Sequence, residues 1–505
     1  MVAPKLLAFQ SLAGTALAHR VLLRGGTIIG WDEATSSIQV TRDGSLLITD
    51  DRITNIYEKG QEPTIAPSNE TQVVDVHGGI ITPGFVDTHA HRWQTAYRTI
   101  GSNTTLWEYF ARYGEFASEG LVEPEDVYIG ELMGLLESIN AGTTTTLDHA
   151  HHTWSVDTAK SGLDATIDSG ARVFWSYVIH QLQNFTIDDQ FANFRALAES
   201  DAFDGTTVNL GLAFDGFGGL GEDPALTAQV VEAALKYNVS VFTTHYVGGV
   251  WGAFNTPRRL LEAGLLNTSI PVVFSHSVQL NNEDALLLRQ TNQYYSTTPE
   301  SEWHYGMTNP TSHRFLDQGS LGLDTHWTFS IDLLTQARMW LQHVRAVLTG
   351  GPQDVGRVPA NNPMSVNQAF LLATRNGGLA LRRPDLGVIA PGAKADVVVW
   401  NGQSRGLLGW SDPVAAVMLH ANVGDVQHVL IDGKFRKVDG ILTIEGLEQL
   451  DRRFLKSAQR LKAVFKNIPY PVGGEFFDAS GTGFGYIEQV DVLRGKGNGY
   501  GEQFV

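Results

Sequence analysis

The sequence predicts an α/β fold: a (β/α)8 barrel of the TIM type with a small β-sandwich domain built from both chain ends. Three observations carry this reading. Short strands rich in Val, Ile, Leu and Thr, broken by Gly and Asp-Asp turns, fill residues 21–82 and return from about Asp385. Between these ends, apolar strand runs alternate with amphipathic stretches, the pattern of a parallel sheet covered by helices. The strand runs number eight, which is what closes such a barrel.

Residues 1–18 (MVAPKLLAFQSLAGTALA) have one Lys, a mildly apolar stretch and small residues at Ala16 and Ala18. That is the shape of a secretory signal peptide, against the plainer reading of a cytoplasmic N-terminal extension. Residues 19–82 form the first part of the small domain, and residues 83–380 form the barrel. Its strands are expected at 84–91, 143–152, 172–180, 208–216, 240–248, 271–279, 294–302 and 319–327. Stretches such as 225–238 (ALTAQVVEAALKYN) supply the intervening helices. Residues 381–445 complete the small domain. Residues 446–505 comprise a helix and a Gly-rich tail, read as an extended strap or mobile arm.

Composition narrows the chemistry. The 505 residues include no Cys, which excludes a disulfide scaffold, a thiol nucleophile and a Cys-ligated metal. The 36 Lys and Arg stand against 54 Asp and Glu, a net charge of −18 that argues against nucleic acid as a partner. The longest apolar runs, such as Val397–Trp400, are too short to span a membrane. Sequons at Asn69, Asn103, Asn184, Asn238 and Asn267 agree with a secreted glycoprotein.

The histidines fall at predicted strand ends, where TIM barrels place catalytic groups. His89 and His91 are two residues apart on one strand and so share a face. His245, His276 and Asp324 end other strands. Three His and one Asp, with a fourth His nearby, make a plausible site for Zn²⁺ or Fe²⁺.

The chain resembles the amidohydrolase superfamily, near its cytosine deaminase and atrazine/melamine hydrolase (ATZ/TRZ-like) branch. ITPGFVDTHAHRWQ matches the PGFxDxHxH motif, and INAGTTTTLDH matches the second-strand pattern. APGAKADVVVWN and VLIDGKFRKVDG match the return to the small sheet. The likeness covers roughly residues 21–440. It implies His89, His91, His245 and Asp324 as ligands of one divalent metal ion, zinc before iron or manganese, and His276 as the group that binds or orients the attacked atom. The fourth strand, VNLGLAFDG, holds no Lys to be carbamylated, which favours a single metal. A divalent cation acidifies water, Asp324 would accept its proton, and the substrate would be a small molecule. Family habit implies a homo-oligomer.

One departure stands out. Deaminase-like members carry a Glu three residues after the fifth-strand His, and here that position is Gly248. The expected replacement acid is Glu300, with Glu302 beside it on the seventh strand. His149, His304 and the tryptophans Trp93, Trp303 and Trp327 are expected to line a pocket for a flat ring. The function expected is hydrolysis of a C–N bond in a cyclic or aromatic molecule. The alternatives are a metal-dependent decarboxylase and a barrel that only binds.

Overall fold

A computed structural model describes residues 19–63, 71–218, 222–307 and 310–471. The N-terminal 18 residues, Asn69 and the Gly-rich tail lie outside the described residues, so the signal-peptide and strap readings are not addressed there.

Eight parallel strands form one sheet in strict sequence order: Phe85–Ala90, Thr143–Ala150, Arg172–Val178, Val208–Ala213, Phe242–Tyr246, Val272–His276, Tyr294–Thr297 and Gly319–Leu321. The last closes on the first, with the Leu323 and Asp324 amides donating to the His89 carbonyl (3.0 and 2.7 Å). The strands are short and almost wholly buried, as expected when both faces of a parallel sheet are covered. All eight expected strands are present. Most end a few residues early, which leaves the site residues at or just beyond the C-terminal ends.

The seventh differs more. Its strand stops at Thr297, and Pro299–His304 is a helix with Pro at its first position. Proline has no N–H to give a sheet and a φ already suited to a helix start.

The small sheet has nine strands, drawn from residues 20–83 and 397–442. The two halves meet where Ile80–Pro83 pairs antiparallel with Val397–Trp400. The sheet encloses its own core, including Val21, Leu46, Ile81, Val397 and Leu430. Gly84 then leads directly into the first barrel strand. A Cβ there would lie 2.1 Å from Thr144 Oγ1, so only glycine lets the two strands approach.

A buried ion pair bolts the modules together. Arg172, at the start of the third barrel strand, donates twice to Asp396 (2.7 and 3.0 Å) and once to Asp432 (2.7 Å). A C-terminal helix, Leu447–Lys466, packs on the helix Pro124–Asn140 and on the segment Arg92–Tyr97 that follows the first barrel strand. Its Ser457 and Arg460 bind Asp126, and Arg112 donates to the carbonyls of Phe465 and Ile468. Through these ties Leu461 and Phe465 join Trp93, Tyr97, Tyr109, Tyr113 and Trp327 in one apolar cluster. Among the described residues, no helix is long and apolar enough to cross a membrane.

Candidate metal centre

The strand ends bring four imidazoles together. His89 and His91 lie with ring centres 4.8 Å apart, and His89 is 4.9 Å from His245 and 5.1 Å from His276. Asp324 Oδ1 is 3.4 Å from His89 Nε2 and 3.2 Å from His91 Nε2. All of these residues except the partly open His245 are buried.

The Nδ1 atoms of the three His expected as ligands are tied to protein groups. His91 Nδ1 donates to the His149 carbonyl (2.8 Å), and His245 Nδ1 donates to Asp215 (2.8 Å). His89 Nδ1 shares a hydrogen bond with Ser275 Oγ (2.8 Å). Fixing Nδ1 turns Nε2 inward, as metal-binding histidines require. His89 Nε2 is fully buried and has no hydrogen-bond partner. A buried, unpaired imidazole nitrogen is costly unless something else satisfies it. A divalent cation held by three Nε2 atoms and a carboxylate fits this arrangement.

The backbone aims two of these groups. His276 (φ +68°) and Asp324 (φ +65°) both adopt the left-handed region, as does Ser277 (φ +54°). Such residues cost about 1–3 kcal/mol each and recur at functional sites. Burial would push the Asp324 carboxyl up, but the imidazoles of His89 and His91 beside it outweigh this and hold the group well below the carboxylate range. Ser301 Oγ donates to its other oxygen.

Asp215, just beyond the fourth strand, escaped the sequence reading. Its carboxylate accepts the His245 main-chain N–H (2.6 Å) and Nδ1–H, and the Thr244 hydroxyl (2.9 Å). His149 Nε2 lies 3.6 Å from the same carboxylate. The signal was present: AFDG puts an acid at a strand end, as GLDT does for Asp324.

His149 does reach the cluster, its ring centre 4.4 Å from that of His245. Burial, then the neighbouring His245, holds it well below the usual histidine range, so the ring is neutral. Its Nδ1 has no hydrogen-bond partner. His151 stacks on His91 at 4.0 Å and accepts a hydrogen bond from Trp93 Nε1 (2.9 Å). Trp93 and Trp327 belong to the aromatic cluster on the rim. There Tyr305 Oη lies 3.4 Å from Thr325, next to Asp324.

Other expectations need correction. Glu300 is not brought to the metal cluster: its amide and carboxylate both bind Gln336 on the helix Leu333–Asp354 (3.0 and 2.9 Å). Glu300 and Glu302 would have shared a face only on a strand, and this segment is helical. Trp303 packs on His343 (4.9 Å), and His304 packs on Tyr305 (4.7 Å) and Phe329 (6.3 Å). Neither is brought to the imidazoles, again because the helix turns them outward.

Gly248 is more than a missing carboxylate. Its φ of +74° and ψ of −168° form a combination that is essentially confined to glycine. Gly249 follows at φ +59°. The loop after the fifth strand is therefore built for glycine at the position where a deaminase-type Glu would stand.

A closed eight-stranded barrel with three histidines and an aspartate converging at its strand ends defines a metal-dependent hydrolase of the amidohydrolase type. Sequence comparison agrees: the model of the amidohydrolase family matches residues 80–250 and 320–436. The chain belongs to that family. It is 25% identical over 427 residues to a 5-methylthioadenosine/S-adenosylhomocysteine deaminase of Thermococcus kodakarensis, covering 82% of this chain and 93% of that protein. A 5′-deoxyadenosine deaminase of Methanothermobacter thermautotrophicus is 26% identical, with 80% and 91% covered. Among solved structures, an adenosine deaminase from Xanthomonas campestris with bound zinc superposes with a TM-score of 0.75 at 17% identity, over 88% of this chain and 98% of that one. An atrazine chlorohydrolase from Arthrobacter aurescens complexed with zinc gives 0.73 at 18%, over 87% and 100%.

Proposed function

We propose that the chain is a mononuclear metal-dependent hydrolase that cleaves a C–N bond (an amidine, amide or ring amine) in a neutral cyclic or aromatic small molecule. Deamination is the narrower form, in line with the names of its relatives. The observation that carries the reading is that ligand atoms of His89, His91 and Asp324, and again of His89, His245 and His276, lie within 4.8 Å of one another, with the Nδ1 atoms of His89, His91 and His245 tied to protein groups. We assign these four as the ligands, with zinc as the preferred ion.

A cation held by these four residues would acidify water, from a pKa of 15.7 towards about 7. Asp324 accepts a proton from the attacking water, its carboxylate kept ionised by its neighbours and held by Ser301. His276 Nε2, 4.0 Å from Asp324 Oδ2, faces the same point and orients the attacked group. Gly248 can pass no proton to a leaving amine, and we give that task to His149. One of its nitrogens faces Asp215 and the other has no protein partner, so a proton can be taken at one and released at the other. The rim aromatics Trp93, Trp327, Tyr109 and Tyr305 suit a flat ring.

Hydrolysis is favoured over decarboxylation by charge. Asp215 and Asp324 both face the cluster, and Arg92, next to His91, is buried and tied to Asp87. A divalent cation at the centre would only balance the Asp215 and Asp324 carboxylates, leaving no surplus positive charge for a substrate carboxylate. The complete ligand set speaks against a barrel that only binds. Export with glycosylation is a separate proposal. Asn103, Asn184, Asn238 and Asn267 are exposed, and mass spectrometry of native protein finding them bare would end it.

The test is product release from a panel of amino- and amido-substituted heteroaromatics and their carboxylates, using zinc-loaded protein. Ammonia or amine release supports the proposal. Release of CO₂ alone, or turnover that persists after the metal is stripped, contradicts it.

A further inference from the structure

The segment Thr297-Thr298-Pro299-Glu300-Ser301-Glu302 carries more than its one contact with Asp324. Thr298 is the N-cap residue of the helix Pro299–His304, where a Thr hydroxyl ordinarily accepts an amide N–H of the first turn. Here it makes no such capping bond. The hydroxyl lies 2.8 Å from His276 Nδ1 instead.

Glu302 takes over the neighbouring groups. It is wholly buried, and its Oε1 accepts the Thr298 amide N–H (2.8 Å). The Thr297 hydroxyl lies within 3.1 and 3.2 Å of its two oxygens, and the Thr298 hydroxyl reaches Oε1 at 3.5 Å. Oε1 is therefore an acceptor whether or not the carboxyl carries a proton, since the acid's own hydrogen can sit on Oε2. With its proton directed to Oε1, the Thr298 hydroxyl meets His276 with a lone pair. Nδ1 must then carry the hydrogen.

We propose that Thr298, oriented by Glu302, fixes His276 as the Nδ1–H tautomer and leaves a bare lone pair on Nε2 facing the cluster. Thr298 and Glu302 are positioning residues in this scheme. It rests on the reading of His276 as a group that acts at the metal centre, and it sharpens that reading. His276 enters the reaction as a hydrogen-bond acceptor, orienting the attacked group through an N–H that the substrate supplies, not as a donor to it. It thereby follows the rule seen for His89, His91 and His245, whose Nδ1 atoms are also tied to the protein.

The test is ¹⁵N NMR of histidine-labelled, full-length protein without metal, with the His276 resonances assigned by a His276→Gln variant. Wild type is expected to show Nδ1 protonated and Nε2 bare. Thr298→Val should move the hydrogen towards Nε2, whereas Thr298→Ser and Glu302→Gln, which keep the hydroxyl and the Oε1 acceptor, should retain the wild-type tautomer. In the zinc-loaded enzyme, Thr298→Val should lower kcat about 10–100-fold with metal content unchanged, and Thr298→Ser should restore most of it. Nε2–H in wild type overturns the proposal, as does a tautomer that Thr298→Val leaves unmoved. The wild-type spectrum decides even if a variant fails to fold. A correct tautomer in a protein that releases no amine would instead count against the proposed function.

Discussion

Asp215 grips His245 from two sides, accepting its main-chain N–H at 2.6 Å and its Nδ1–H at 2.8 Å. The carboxylate thus sets both where the strand ends and which ring nitrogen faces the cluster. Burial would push His245 down, but the Asp215 charge outweighs it and pushes the ring's pKa up.

Replacing this carboxylate weakens the metal site without removing a ligand. Asp215→Asn keeps the shape but loses the charge, and zinc affinity should fall about 10–100-fold. Competition titration against a chelator of known affinity reads this directly. An unchanged affinity would mean that Asp215 serves only the loop.

Returning a carboxylate to position 248 should not create a deaminase-type acid. Gly248→Glu forces a side chain into a glycine-only conformation, at a cost of about 1–3 kcal/mol. The melting temperature should fall and ammonia release should not rise. A gain in kcat would show that the loop adapts and that proton delivery was limiting.

Stability depends on the bolt between the two modules. Arg172→Ala leaves Asp396 buried without its partner, a change worth about 3–5 kcal/mol. Chemical denaturation should show the loss with the metal site intact. A difference below about 1 kcal/mol would mean that solvent reaches Asp396.

Glu302 should make stability depend on pH. Burial pushes its carboxyl from the ordinary 4.5 up to about 8. Between these values the folded chain holds a proton that the unfolded chain has lost, so stability falls as pH rises through that window. Glu302→Gln cannot ionise. Its melting temperature relative to wild type, both without metal, should therefore rise from pH 5 to pH 8. A constant difference would contradict the assignment.

The barrel was legible because its strands are buried on both faces and read as unbroken apolar runs bounded by Gly and polar turns. His89, His91 and His149 were legible for a related reason, since strand periodicity alone sends them inward. The TTPESE segment is misleading in sequence, because strand periodicity would put Glu300 and Glu302 on one face, whereas the strand stops at Thr297 and Pro299 opens a helix. That one change of period sent Glu300 to Gln336 and Glu302 beneath His276. Trp303 and His304 failed with it. Asp215 was missed although its position was plain, because its partner, His245 Nδ1, belongs to a neighbouring strand and becomes visible only in three dimensions.

The central claim is that His89, His91, His245 and Asp324 hold one catalytic cation. A zinc-loaded crystal measured at the zinc absorption edge tests it most directly. The account predicts a single anomalous peak about 2.0–2.2 Å from the three Nε2 atoms and an Asp324 oxygen. A peak between His149 and Asp215 instead, or none at the four proposed ligands in active protein, would contradict it.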